Sequence, residues 1–93
     1  MRWRVNFTYE AEKDLERLDG IIRRRILDKL IWFRDNFDTI TPLPLGGKWR
    51  GFFKLRAGDW RIIYEVEVKK FLVTIHCIDN RDKIYKYNLA WQD

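Results

Sequence analysis

Polar and apolar residues alternate through RWRVNF, placing Trp3, Val5 and Phe7 on one side and Arg2, Arg4 and Asn6 on the other. A period of two over this length predicts a half-buried strand. Thr8 then suits a helix N-cap, with Glu10 and Glu12 in a first turn whose orphan N–H groups favour negative charge. Ala11, Leu15 and Leu18 recur at helical spacing before Asp19-Gly20 interrupts. A longer helix is predicted from about Ile21 to Phe37, with Ile22, Ile26, Leu30, Phe33 and Phe37 as its apolar stripe and Leu27 and Ile31 widening it. The two helices, joined at Gly20, make an antiparallel hairpin that needs a packing partner to be stable.

TPLPLGG, Thr41 to Gly47, is the clearest break, and its prolines and glycines argue against regular structure there. Strand-like runs follow at Lys48–Arg56, Trp60–Val66 and Phe71–Ile78, linked through Ala57-Gly58-Asp59 and Glu67–Lys70. Alternation puts Trp49, Phe53 and Leu55 on one face of the first run, with Arg50, Phe52, Lys54 and Arg56 opposite. In the second, Trp60, Ile62, Tyr64 and Val66 oppose Arg61, Ile63 and Glu65; in the third, Phe71, Val73, Ile75 and Cys77 form the apolar set, with His76 opposite. The simplest architecture is α+β: an N-terminal strand and a helical hairpin packed on one face of a twisted antiparallel sheet, the other face presenting a cationic concave strip.

Ninety-three residues fit one domain, residues 1–93, and six Phe, five Trp and four Tyr supply ample core volume. Nineteen Lys and Arg against fourteen Asp and Glu give a net charge of +5, which suits a partner with a negative surface: nucleic acid, an acidic protein segment or, less readily, a membrane face. The single Cys77 suits a reducing cytosol. One His and one Cys make no zinc-binding set, and a chain without Ser has no Ser-based triad. No apolar run is long enough to span a bilayer, and MRWRVNF alternates rather than forming a signal peptide's apolar region. A cytoplasmic protein without a membrane partner is expected.

A strand, a helical hairpin, a Pro/Gly loop, GFFKLRAGDWRIIYEV, a further strand and NRDKIYKY together resemble the RelE/ParE family of bacterial toxins, on the side of the RelE-like mRNA interferases. The likeness spans nearly the whole chain, and KLRAGDWRIIY is its most specific part. It implies the toxin of a type II toxin–antitoxin pair, neutralised by a cognate antitoxin. Its RelE-like activity would be ribosome-dependent, metal-independent cleavage of mRNA with no cofactor. The alternatives are a ParE-like toxin that inhibits DNA gyrase without nuclease activity, and a catalytically weakened relative that binds its antitoxin.

Carried over by motif, the catalytic residues are Lys54, Arg61, Arg81 and Tyr85. Phe52, Arg56, His76 and Tyr87 join them as RNA-binding candidates. Two positions depart from the family pattern: Phe52 stands where active nucleases often have a second Lys, and Asn80 where His is frequent before the Arg.

Such cleavage needs attack by a 2′-OH, a base for its proton, cations to offset charge on the phosphorane, and an acid for the 5′-oxygen. Clustered positive charge disfavours a protonated Lys and favours a phenolate, the direction that a Lys54 base would need. Otherwise Lys54 only stabilises charge while the ribosome aligns the message. Arg61 can clamp two phosphate oxygens. Arg81 reads either as a phosphate ligand or as an ion pair with Asp79 or Asp82, and Tyr85 as an acid, a stacking ring or a buried core residue. His76 reads as spectator or catalyst, Phe52 as a base-stacking platform or an antitoxin contact, and Arg23-Arg24-Arg25 as a solvated helix face or a ribosomal RNA contact.

Overall fold

In the computed structural model, which describes residues 2–84, the alternating N-terminal segment forms strand β1 (Arg4–Phe7). Thr8 ends it by bonding both ways. Its N–H donates to the Ile75 carbonyl, while its side-chain oxygen accepts from Ala11 N–H at 3.1 Å and so caps helix α1 (Tyr9–Arg17). Asp19 caps the second helix, α2 (Gly20–Asp35), by accepting from Ile21 N–H at 2.7 Å. Arg23 holds the two helices in register: its guanidinium donates to the Leu15 and Leu18 carbonyls left over at the end of α1.

The break at TPLPLGG is nearly complete, except that Leu43–Pro44 forms a two-residue edge strand, β2. The run from Lys48 departs further from expectation. Gly47–Trp49 is a single 3-10 turn and Gly51 sits at φ +95, so strand β3 begins only at Phe53 (Phe53–Ala57). Trp49 therefore lies off the strand, where alternation does not govern it. Gly58 at φ +62 opens the two-residue turn into β4 (Trp60–Glu67), as a tight hairpin requires. A 3-10 turn (Val68–Lys70) leads to β5 (Leu72–Asn80), and the four-residue helix α3 (Arg81–Ile84) follows.

The sheet order is β1-β5-β4-β3-β2. The α+β class and the helical hairpin over the sheet are as expected, but the sheet is mixed, because β1 runs parallel to β5. Beyond Phe7 the edge of β5 is covered by α1: the buried Asp14 carboxylate accepts from Ile78 N–H at 2.8 Å and pairs with Arg17. An edge donor that would otherwise be stranded is thereby satisfied.

A bulge decides which residues face which way. Ile63 sits opposite Cys77 but Tyr64 opposite Ile75, so His76 is the extra residue in β5. Val73, Ile75 and, past the bulge, Ile78 join the main core under the helices with Trp3, Ile26, Leu30, Phe33, Phe37, Ile62 and Tyr64. Cys77 is displaced from the set expected by simple alternation and packs on the other face with Leu45, Ile63 and Ile84, flanked by Trp49 and Phe52. Both sheet faces thus carry a core. No described helix is long and apolar enough to cross a membrane.

Candidate functional site

The pairing registers place Lys54 beside Ile63 and Arg56 beside Arg61, so these basic side chains share the face opposite the helical hairpin. That much agrees with the alternation. The face is not the open cationic strip expected, however: Lys54 is 7% exposed and Arg61 5%. Ile84, fully buried, packs with Ile63 and Cys77 in the second core on this face.

Arg61 is anchored to the hairpin turn, its Nη1 donating to the carbonyls of Gly58 at 2.7 Å and Trp60 at 3.0 Å. Arg81 is tied to the same turn by its backbone, with its N–H donating to the Asp59 carbonyl at 2.8 Å. Its side chain is 57% exposed and lies 3.9 Å from Asp82, one of the two ion pairings anticipated for it. Asn80 has a local role: its side-chain oxygen accepts from Asp82 N–H at 2.9 Å and starts α3. Cross-strand, Arg61 stands opposite Asp79.

Arg56 is exposed and also borders a second space. With Arg25 and Lys29 of α2 it lines a groove of about 470 Å³ beside the Gly58-Asp59 turn. Of the Arg23-Arg24-Arg25 run, only Arg25 lines this groove, since Arg23 caps α1 and Arg24 pairs with Asp28 at 3.4 Å.

Phe52 and His76 are brought together toward the far end of the same face. Their rings meet edge-on at 4.9 Å, and Trp49 meets Phe52 at the same distance. Phe52 is therefore part of a packed aromatic group rather than an open platform. His76 Nε2 is hydrogen-bonded to Glu65 at 2.7 Å. Sequence reading had no signal for this pair, because the bulge that delivers His76 beside Glu65 depends on pairing. Trp49, assigned to the main core by alternation, belongs to this group instead. Cys77 is no nucleophile: burial, with Asp14 and Asp79 nearby, pushes its thiol up to about 12. Tyr85 and Tyr87 lie outside the described residues.

The fold is thus a mixed five-stranded sheet with a core on each face and basic side chains on its central hairpin. The toxin–antitoxin complex RelBE2 from Mycobacterium tuberculosis contains a chain that superposes with a TM-score of 0.77 at 24% identity, over 87% of this chain and 100% of that one. Residues 5–85 match the model of the ParE toxin of type II toxin–antitoxin systems. Over 95 residues the chain is 30% identical to one named as RelE-like from Escherichia coli, covering 97% of this chain and 95% of the relative. It is 31% identical over 90 residues to toxin RelG of Mycobacterium tuberculosis, covering 92% and 99% respectively. By class this is a type II toxin. The chain belongs to the RelE/ParE family.

Proposed function

We propose that the protein cleaves messenger RNA on the ribosome, without a metal or cofactor, in the cytoplasm, and that a cognate antitoxin neutralises it. The observation that carries this reading is the convergence on one turn: Arg61 grips Gly58 and Trp60, Arg81 is bonded to Asp59, and Lys54 and Arg56 share Arg61's face. In this reading the 2′-oxygen attacks the neighbouring phosphorus, leaving a cyclic phosphate on one fragment and a 5′-hydroxyl on the other. Arg61 and Arg81 offset the charge that gathers on the phosphorane, an effect strengthened where water is excluded. Lys54 accepts the 2′ proton or holds charge beside it, and Tyr85 protonates the leaving oxygen. Fixing Arg61 to two carbonyls sets its orientation before substrate arrives.

The antitoxin assignment draws on the RelBE2 complex, whose toxin chain shares this fold. With a net charge of +5, the chain suits an acidic partner segment laid across it.

A second reading has its own support. The family model matched is that of ParE toxins, and burial of Lys54 and Arg61 suits a protein that acts by binding, so gyrase inhibition is the competing activity. A cell-free translation reaction with 3′ ends mapped on the message separates the two. Codon-spaced cuts that need ribosomes support cleavage. An undisturbed message together with stalled gyrase supercoiling overturns it. Naked RNA is a poor substrate for this purpose, since alignment comes from the ribosome.

A further inference from the structure

Between α1 and the far end of the basic face lies a cavity of about 470 Å³ whose lining includes Tyr9, Lys13, Trp49 and His76. Tyr9, Trp49 and His76 give it three flat rings. Tyr9 is 69% exposed and carries the Lys13 ammonium 5.1 Å from its centre, while Trp49 braces Phe52, which in turn meets His76 edge-on. The charges at its rim balance: Glu10 and Asp14 against Lys13 and Arg17, with Asp14 and Arg17 paired to each other. Such a rim does not select a phosphate or an acidic peptide. It suits a flat, neutral, polar-edged ring.

The hydrogen-bonding atom is set by the dyad. In the neutral tautomer that donates from Nε2 to Glu65, Nδ1 is left an acceptor, and among the described residues no hydrogen bond reaches Nδ1. Phe52 packs against the same ring and limits its rotation. An acceptor fixed beside aromatic walls matches a base that presents an exocyclic amine.

We propose that this cavity takes one unpaired nucleobase of the RNA, stacked on Tyr9 and Trp49 and read by His76 Nδ1 through its amino group, with adenine, cytosine or guanine preferred to uracil. The site rests on the ribonuclease reading above but stands apart from the proposed cleavage residues. Glu65 is four residues along β4 from Arg61, roughly 13 Å at strand rise, so the base read is not the one flanking the cut. Neither Trp49 nor Tyr9 belongs to KLRAGDWRIIY, the most specific part of the family resemblance.

The test is an NMR titration of the full chain with AMP, CMP, GMP and UMP separately, following the His76 imidazole and the Trp49 indole. Saturable shifts at both are expected, with UMP weaker by about fivefold or more, the discrimination one hydrogen-bonded base edge supplies. Tyr9→Ala, at an exposed position, is expected to weaken AMP by about tenfold through lost stacking, and His76→Ala to erase the order among bases. No shift at His76 and Trp49, or UMP binding as well as AMP, overturns the proposal. So does a result in which nucleotides leave the cavity untouched while antitoxin peptide shifts it, which would make it a protein-docking pocket. The two readings fail separately: ribosomal cutting with a silent cavity sinks only the base site, and a nucleotide-filled cavity with no cutting sinks only the nuclease.

Discussion

Asp14 acts at two points at once, accepting a strand-edge N–H and pairing with Arg17, and it does so at 7% exposure. Burial outweighs both partners and raises its carboxyl above the ordinary 3.8. Between 3.8 and the raised folded value, the folded chain therefore keeps a proton that the unfolded chain has released. Stability from this group is fully present below 3.8 and is lost as pH rises through the raised folded value. Asp14→Asn keeps an acceptor for Ile78 N–H, so urea unfolding followed across acidic to neutral pH is expected to show that slope flattened. Asp14→Ala strands the donor and should cost about 1–3 kcal/mol at neutral pH. Cys77 gives a second check. A thiol raised from 9.0 to about 12 exposes on the order of a thousandfold less thiolate at neutral pH, so labelling by a disulfide reagent should be slow in the folded chain and fast in urea.

The turn between β3 and β4 concentrates the proposed chemistry. Gly58 holds a positive φ with open space around its Cα, so Gly58→Ala meets no side chain and its cost is backbone strain alone. We expect about 1–2 kcal/mol lost in thermal unfolding and a larger proportional fall in activity, because Arg61 and Arg81 are both fastened there. Elements of this kind were readable from the chain. Thr8 as a cap, the Ile26/Leu30/Phe33/Phe37 stripe and the Gly58-Asp59 turn follow from local spacing and turn chemistry. What stayed hidden depends on partners distant in sequence. The parallel pairing of β1 needs β5 to be placed first, the bulge that flips Cys77 exists only relative to Ile63 and Tyr64, and the second core joins Ile84 to Leu45, Ile63 and Cys77 from distant parts of the chain. The shared face of Lys54 and Arg61 was legible by period two; the cover over it was not.

At the level of the whole molecule, two cores on opposite sheet faces make the basic site inseparable from stability. Ile84 is fully buried, and Ile84→Ala should cost about 2–4 kcal/mol. The same variant should speed Cys77 labelling, because both side chains lie in one cluster. Charges on α2 lie outside both cores, which makes the exposed Arg24 and the half-buried Arg34 suitable controls. The central claim is that the hairpin-bound face cuts ribosome-bound message. It is tested most directly by mapping 3′ ends in a translation reaction with wild type, Arg81→Ala and the Arg24→Ala/Arg34→Ala double variant, each shown to be folded by its melting curve. The account predicts codon-spaced cuts by wild type and the double variant, reduced about 10²–10³-fold in Arg81→Ala, the usual effect of deleting one transition-state donor. Cutting by a folded Arg81→Ala at the wild-type rate would contradict it.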